Sequence, residues 1–237
     1  VFENDVDRWA SFGFGHDLPG GTRTVDLGGL LMQNDFAFVY AYFPDVGSVY
    51  LPIVRQFRPE TPVVVDSVDI GFQREWREIE LKGNLAVLAN FDRARRMELA
   101  TYRAADRVVV VTENDLELLL AEAPEVEVRV LPTVHPVEDT APVRAGRSGV
   151  LFIGGYSHRP NVDAAEWLVR EIMPRVWATH PETHVTLCGS APPPELYALA
   201  GERVTVTGWV PDTHPYLDRA AVSLAPLRYG AGMKGKV

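Results

Sequence analysis

The sequence lacks the features that mark several broad classes of protein. Its single cysteine, Cys188, lies in the apolar run HVTLCGS, so no disulfide forms within the chain and we interpret the thiol as a small core side chain. No run of about 18 apolar residues predicts a membrane-spanning helix, and no signal peptide opens the chain. Because the net charge is −9 and basic residues are not clustered in runs, we expect no nucleic-acid partner.

Three well-known catalytic signatures are also absent. No GxxxxGK[ST] loop, GxSxG elbow or HExxH zinc motif occurs in the 237 residues. The histidines of the second half show no metal-ligand spacing, and no second cysteine supports a zinc site. The sequence therefore predicts no metal held by protein ligands.

The chain does have a hydrophobic content of 46% and a regular alternation of strand and helix patterns. In the first half, TPVVVDSVD and EVRVLPTVHP predict strands, and residues 73–105 predict one long helical stretch. RVVVVTENDLELLLAEAP predicts a strand, a turn and a helix, with Thr112 and Asp115 placed for a capping box. FAFVYAYFPD predicts an aromatic strand whose register stays open.

The alternation restarts after residue 149. VLFIGG, THVTLCGS, RVTVTGWV and AVSLAP predict strands, NVDAAEWLVREIMPRVWATHP predicts an amphipathic helix, and PPELYALAG and THPYLDRA predict short helices. Such alternation favours parallel sheets with helices on both faces. We therefore predict an α/β protein of two Rossmann-like domains, residues 1–135 and 149–237, joined by a proline-bearing linker at 136–148.

Ligands of open parallel sheets bind beyond the carboxyl ends of the strands, and three loops of the second domain follow such ends. GGYSHRPN supplies Gly154, Gly155 and Asn161, where glycine lets the backbone approach a ligand and the next helix offers N–H groups. A tight turn with an Asn161 helix cap is the alternative. GSAPPPE follows another strand and is more simply explained as a turn.

The third loop, APLRYGAGMKGKV, places three cations among glycines. These are Arg228, Lys234 and Lys236, with Gly232 between them. Fixed cations and backbone N–H groups stabilise the negative charge that develops on a departing diphosphate. A solvated basic loop is the alternative, but this concentration of cations in an acidic chain favours an anion site.

Two further residues are candidates for catalysis. Asp69 follows a strand of the first domain, in VVDSVDIGFQREWRE, where it would accept a proton or hold a substrate hydroxyl, with a helix cap or an ion pair as the alternative. His16 lies in a glycine-rich loop near the start of the chain.

These motifs together resemble the GT-B glycosyltransferases of family four, also called glycosyl transferases group 1. The donor-binding domain of that family is similar to VLFIGGYSHRPNVDAAEWLVREIMPRV, VTLCGS and RVTVTGWVPDTHPYLDRAAVSLAPLRYGAGMKGKV, and the end of its acceptor domain to VVVDSVDIGFQRE, ELATYRAADRVVVVTENDLELL and VLPTVHPV. The resemblance covers about residues 60–237. It implies a GT-B fold, in which the parallel sheets of two Rossmann-like domains face a cleft. We interpret both domains as incomplete and both chain ends as cut.

The resemblance implies a metal-independent, retaining transfer of a sugar from a nucleotide diphosphate sugar to a hydroxyl of a glycan, lipid-linked or other acceptor. The expected role is surface-polysaccharide or glycoconjugate synthesis in the cytoplasm, with peripheral membrane association left open; the donor is a co-substrate, and no cofactor is expected. The loop after GWVPD is expected near the nucleotide base. Carried over by position, the diphosphate-facing cations and the donor-loop residues are Arg228, Lys234, Lys236, Gly154, Gly155 and Asn161.

One residue departs from the family pattern. Gly71 stands where a histidine near the transferred sugar is expected. This leaves the catalytic group open between Asp69 and His16. It also supports one alternative, a non-catalytic glycosyltransferase-like binding module. A sugar-nucleotide epimerase, which shares the two-domain fold, is a further alternative, although its expected catalytic acids are not visible as a set.

Overall fold

The computed structural model describes residues 27–84, 88–134 and 146–233. His16, Lys234, Lys236 and most of the predicted linker lie outside these residues. The chain divides into two compact units, each assembled from separate stretches of sequence. Of the described residues, the first unit contains 27–68, 96–109 and 116–129, and the second contains 69–84, 88–95, 110–115, 130–134 and 146–233.

The first half of the chain builds a four-stranded sheet. Its elements in chain order are α1 (Leu27–Gln33), β1 (Val39–Tyr42), α2 (Pro44–Phe57), β2 (Val63–Asp66), α3 (Gly71–Lys82), α4 (Leu88–Ala104), β3 (Arg107–Val110), α5 (Glu113–Glu122) and β4 (Val128–Val130). The strand order is β1-β2-β3-β4, and the β1–β2 and β2–β3 pairs are parallel, with Val39 opposite Val63 and Val65 opposite Val108. Val63, Val65 and Val108 are buried and share one face of the sheet, since side chains two residues apart on a strand point the same way and Val65 pairs with Val108.

Helix α2 was not predicted, although it packs closely on this sheet. Gly47 allows the approach, since a Cβ there would lie 2.9 Å from Thr101 Cγ2 and 3.2 Å from Val65 Cγ2. Leu51 and Val54 are buried on the same helix. Its internal Pro52 and Gly47 are poor helix formers, which explains why propensity fails to reveal it.

The single helical stretch predicted for residues 73–105 is wrong. Helix α3 ends at Lys82 and α4 begins at Leu88. Gly83 follows α3 in the left-handed conformation (φ 65°), and its N–H donates to the carbonyl of Ile79 at 2.8 Å. A left-handed glycine is a common helix stop, because glycine adopts this conformation without a Cβ penalty.

The second sheet lies in the second unit. Its elements are β5 (Val150–Ile153), α6 (Arg159–Trp167), a π turn (Leu168–Ile172), α7 (Met173–Trp177), β6 (Val185–Cys188), α8 (Pro194–Tyr197), β7 (Val204–Gly208), α9 (His214–Arg219) and β8 (Val222–Ser223). The strand order is β7-β6-β5-β8, and every pair is parallel. The predicted α/β architecture with parallel sheets is confirmed.

The predicted amphipathic helix corresponds to α6, the π turn and α7. Leu168 and Met173 are fully buried in the core of the second sheet, as the apolar pattern predicts. The π turn is an addition, in which the Met173 N–H bonds the carbonyl of Leu168, five residues earlier. Pro174 follows directly, and its missing N–H and bulky ring disfavour a regular α-helical turn at this point.

No helix in the described ranges is long and apolar enough to span a lipid bilayer.

Candidate functional site

The candidate site is built on the second sheet, where parallel pairing brings all four strand ends to one side. We call this side the carboxyl edge. It consists of the loops that follow β5, β6, β7 and β8, namely residues 154–158, 189–193, 209–213 and 224–233. Open parallel sheets bind their ligands at this side.

Two glycines of the carboxyl edge are required by packing. A Cβ on Gly189 would lie 1.8 Å from the carbonyl oxygen of Gly154, and a Cβ on Gly154 would lie 2.9 Å from Asn161 Cγ. Gly155 differs, because its Cβ would meet only Ser190 Oγ, at 3.7 Å. The loops after β5 and β6 therefore touch through their backbones, while Gly155 leaves open space that packing does not demand.

Asn161 lies in the first turn of α6 and is 4% exposed. Its Nδ2 donates to the carbonyl of Gly155 at 2.7 Å, and its backbone N–H donates to the carbonyl of His158 at 2.9 Å. Its Oδ1 is buried and has no hydrogen-bond partner among the residues that the structure describes. The side chain thus fixes the glycine loop to the start of the helix.

Arg228 follows β8 and is held by a carboxylate that the sequence did not reveal. Its Nε lies 2.8 Å from Asp163 Oδ2 and its Nη2 lies 2.5 Å from Asp163 Oδ1. The Asp163 side chain is 7% exposed and that of Arg228 is 34% exposed. This hydrogen bonding raises the pKa of Arg228 above its ordinary value, so the cation is permanent. The Trp167 ring centroid lies 5.6 Å from the guanidinium carbon.

The loop that carries Arg228 is fixed further along by helix α3. Arg77 donates from Nη1 to the carbonyl of Gly230, and the Lys82 ammonium lies 5.3 Å from the ring centroid of Tyr229. Burial and the nearby carboxylate of Glu78 raise the pKa of Tyr229, so the phenol is neutral at ordinary pH. Helix α3 thus contacts the loop at two neighbouring positions, the ring of Tyr229 and the backbone carbonyl of Gly230.

Gly232, a predicted site residue, has φ 67° and so occupies the left-handed region that favours glycine. Gly230 shares this feature, with φ 154°. The two predicted lysines, Lys234 and Lys236, lie outside the described residues, and their roles stay predictions.

Asp69, the predicted catalytic carboxylate, forms an ion pair with Arg74 and its side chain is 19% exposed. Gly71 is the first residue of α3. The ion pair corresponds to the alternative interpretation of Asp69 in the sequence, and its catalytic role stays a prediction, as does that of His16.

The carboxyl edge of the first sheet has a different chemistry. Asp66, at the end of β2, accepts hydrogen bonds from the Tyr40 hydroxyl at 2.6 Å and from the Val68 N–H at 2.8 Å. Burial and this contact with Asp66 raise the pKa of Tyr40. Tyr42 and Phe43 follow at the end of β1, are 53% and 41% exposed, and contact each other edge to face at 4.7 Å.

No group of three or more His, Cys, Asp or Glu side chains is placed to hold a metal ion within residues 27–84, 88–134 and 146–233. The prediction that catalysis needs no metal stays a prediction.

The sequence missed Asp163 because its partner lies 65 residues further along the chain. A signal was present nonetheless. Asp163 stands in NVDAAEW, one turn before Trp167 and among residues that the structure buries. A carboxylate on a buried helix face needs a partner, and Arg228 was the nearest cation already assigned to this edge.

Comparison with known proteins agrees with this geometry. The family model for glycosyl transferases group 1 matches residues 147–237, which include every strand of the second sheet. None of the curated proteins compared with the chain matches it by sequence.

Three solved structures share the fold. TarM aligns with a TM-score of 0.63 and 11% identity, over 82% of this chain and 37% of its own. A TarM mutant from S. aureus, in complex with fondaparinux, α-GlcNAc-glycerol and UDP, aligns with a TM-score of 0.58 and 10% identity, over 75% of this chain and 35% of its own. The pneumococcal O-GlcNAc transferase GtfA, in complex with UDP and GlcNAc, aligns with a TM-score of 0.51 and 10% identity, over 86% of this chain and 41% of its own. This chain thus spans about two fifths or less of each of those proteins.

The two parallel sheets therefore have the fold of the GT-B glycosyltransferases. Within that class, residues 147–237 match the family model for glycosyl transferases group 1, the family that the sequence motifs resemble.

Proposed function

We propose that this protein is a retaining glycosyltransferase, which moves a sugar from a nucleotide diphosphate sugar to an acceptor hydroxyl in the synthesis of a surface polysaccharide or another glycoconjugate. The observation that carries the proposal is Arg228, a fixed cation beside the glycine loops of the carboxyl edge, inside the segment that matches the family model. In support, two proteins of the same fold were crystallised with UDP, a nucleoside diphosphate.

In the proposed reaction, the bond between the anomeric carbon and the diphosphate oxygen breaks while the acceptor oxygen bonds to the same face of that carbon. The acceptor proton passes to the departing diphosphate. Arg228 stabilises the charge that develops on the diphosphate, and Lys234 and Lys236 are proposed to assist. Cations that stand in place before bond cleavage need no reorganisation, and no metal ion enters the proposal.

The nucleotide base is proposed to bind beside the loop that follows β7. Gly208 ends β7 with φ 71°, and the next residue, Trp209, is 71% exposed. Trp209 therefore offers an exposed planar ring at the ligand-binding edge. A planar base would stack on the indole ring and cover it.

The acceptor is proposed to bind at the carboxyl edge of the first sheet. Tyr42 and Phe43 offer exposed aromatic faces there. Asp66, the register partner of Tyr42, is nearly buried and accepts hydrogen bonds from the Tyr40 hydroxyl and the Val68 N–H, so it supports this edge from within. Aromatic faces pack against the apolar faces of sugar rings, which suits a glycan acceptor.

The test is turnover by the full-length natural protein with a panel of nucleotide sugars, measured as release of nucleoside diphosphate with and without glycan acceptors. Arg228→Ala is expected to lower kcat by about 10²- to 10³-fold, the usual loss when a fixed charge-stabilising group is removed. The control is Arg203→Ala. Arg203 also contacts an aromatic ring, that of Trp177 at 4.2 Å, but it precedes β7 and so lies at the opposite edge of the sheet. Equal activity of the two variants would contradict the proposal.

Gly71 favours a second candidate, a non-catalytic module that binds nucleotide sugars or glycans. Such a module would bind a nucleotide sugar in calorimetry yet neither transfer nor hydrolyse it. Turnover of any donor by the natural protein would exclude this candidate, and binding without turnover would establish it in place of the transferase.

A further inference from the structure

We infer that Asp163 is a positioning residue for the diphosphate. It holds the guanidinium of Arg228 in one orientation, and its negative charge reduces the electrostatic attraction between Arg228 and the ligand. The inference rests on the proposed function, because it assumes that Arg228 meets a diphosphate. It assigns a role to a carboxylate that contacts no substrate itself.

The first argument is the geometry of the pair. Asp163 binds the guanidinium side-on, through Nε and Nη2, at 2.8 and 2.5 Å. Arginine carries five N–H donors, so this arrangement leaves both protons of Nη1 and one of Nη2. Those donors form the end-on fork that matches two oxygens of a phosphate group. Asp163 thus occupies one edge of the guanidinium and preserves the other.

The second argument is the rigidity of the carboxylate. Asp163 is nearly buried in helix α6, whereas a third of the Arg228 side chain reaches the solvent. The Trp167 ring, one helical turn after Asp163, flanks the guanidinium. Arginine otherwise samples many rotamers, and fixing it before the ligand arrives removes that loss of entropy from the binding and transfer steps.

The third argument is the charge. Asp163 cancels the formal charge of Arg228, and a site evolved only for attraction of a dianion would omit a carboxylate at this distance. The structure retains it, which favours orientation over attraction. The two effects are separable by experiment, because attraction governs ground-state affinity and orientation governs the chemical step.

The experiment compares Asp163→Asn with Glu166→Gln in the full-length protein. Glu166 lies on the same helix and its charge also acts on Arg228, yet it pairs with Arg170 at 3.8 Å. Both changes remove one negative charge, and only Asp163→Asn breaks the two-point contact with Arg228, because the asparagine amide keeps one acceptor oxygen and replaces the other with a donor. For Asp163→Asn we expect kcat to fall about 10- to 100-fold while the Kd of the nucleoside diphosphate is unchanged or lower. Glu166→Gln is expected to leave kcat within about twofold.

A double-mutant cycle separates positioning from general support of the fold. In the Arg228→Ala background, Asp163→Asn is expected to cause no further loss of kcat, because the residue acts through Arg228 and because an unpaired buried carboxylate is relieved. A further loss in that background would show a structural role and overturn the inference. If Asp163→Asn fails to fold, Asp163→Glu replaces it, since it retains the charge, and the same fall in kcat without weaker binding is expected.

The failures are distinguishable. If the natural protein turns over nucleotide sugars but Asp163→Asn behaves like Glu166→Gln, the inference fails and the proposed function stands. If kcat falls only together with a proportionate rise in Kd, Asp163 contributes to binding alone and the inference also fails. If the natural protein neither binds a nucleoside diphosphate nor turns over a donor, both fall together.

Discussion

The turns at the carboxyl edges of the two sheets differ in the residues that they place in the left-handed region. After β1 and β2 of the first sheet, the chain turns through Phe43 (φ 78°) and Val68 (φ 57°), which keep their side chains in the left-handed region. In the second sheet the comparable turns use Gly189, Gly208 and Gly230. Side chains in this region cost about 1–2 kcal/mol each. The first edge retains two bulky ones against this penalty, whereas the second edge uses glycine at most such positions and retains only the small side chain of Ala191 (φ 52°) among its described residues.

The difference indicates what each edge is built to contact. Exposed aromatic side chains at the first edge suit a neutral ligand with apolar faces. Bare backbone and a fixed guanidinium at the second edge suit a small, highly charged group that must come close to the N–H groups. One architecture therefore presents two surfaces of different chemistry.

Among substitutions that test this comparison, the largest effect on stability is expected at Gly189. Gly189→Ala places a Cβ against the Gly154 carbonyl in a backbone conformation that alanine disfavours, so we expect the free energy of unfolding to fall by about 3 kcal/mol or more. Gly201→Ala is the control, since a Cβ there meets nothing within 4 Å. Thermal unfolding of both variants measures the effect, and similar melting temperatures would contradict the close approach of the two loops.

The functional contrast is sharpened at Tyr42. Tyr42→Ala is expected to raise the KM of the acceptor about tenfold, because it removes an exposed aromatic face worth about 1.5 kcal/mol, and to leave the Kd of the nucleoside diphosphate unchanged. Phe38→Ala is the matched control, an aromatic residue that is 56% exposed but precedes β1. An altered affinity for the diphosphate instead would mean that the edges are not specialised as proposed.

The backbone strain of the left-handed region can be removed at one position by substitution and introduced at another. Val68→Gly is expected to stabilise the protein by about 0.5–1 kcal/mol, since it relieves a β-branched residue in the left-handed region. The reciprocal change, Gly83→Val, introduces that strain where a Cβ meets no atom within 4 Å, and should destabilise by about 1–2 kcal/mol. Denaturant unfolding measures both. Equal signs for the two changes would refute the assignment of strain to Val68.

The smallest effect is expected at the amino ends of β2 and β3. Burial alone would raise the pKa of Asp106, but hydrogen bonds from Arg55 and the Val63 N–H outweigh it and lower that pKa. This half-exposed pair lies at 2.6 Å, in contrast to the nearly buried Asp163. Because the folded-state pKa is depressed, its stabilisation is present above about pH 4, the unfolded value, and is lost as the pH falls through the folded value.

Asp106→Asn should therefore lower the free energy of unfolding by about 0.5–1 kcal/mol at pH 7, after allowance for solvent screening, and the difference should vanish in acid. Asp35→Asn is the control, because Asp35 also pairs with an arginine, Arg58, but the Asp35 side chain is 95% exposed. A loss at Asp106 that persists at low pH would point to packing instead of charge.

The sequence predicted what depends on short-range pattern. Valine runs marked β2 and β3, glycine marked the loops after strands, and Arg228 was recognised as a cation beyond a strand end. Helix α2 escaped because Gly47 and Pro52 contradict helical propensity, and the tight packing that explains Gly47 is visible only in three dimensions.

The site was predicted less completely than the fold, for a related reason. A pattern within a loop identifies a cation, but it cannot show that Asp163 on a distant helix neutralises it, or that Arg77 and Lys82 of α3 grip the same loop. These contacts join residues 65 to 153 positions apart. They follow from the topology of the chain and not from local composition.

The attachment of α3 to the second unit has a practical consequence for dissecting the gene. Expression of residues 149–237 alone, the segment after the predicted linker, would yield the second sheet without Arg77 and Lys82. Such a piece would display the Tyr229 ring to solvent, lose the hydrogen bond to the Gly230 carbonyl and invite self-association. If the protein is split into two fragments for complementation, both fragments should include residues 69–84. Alternatively, these residues should be added as a separate peptide.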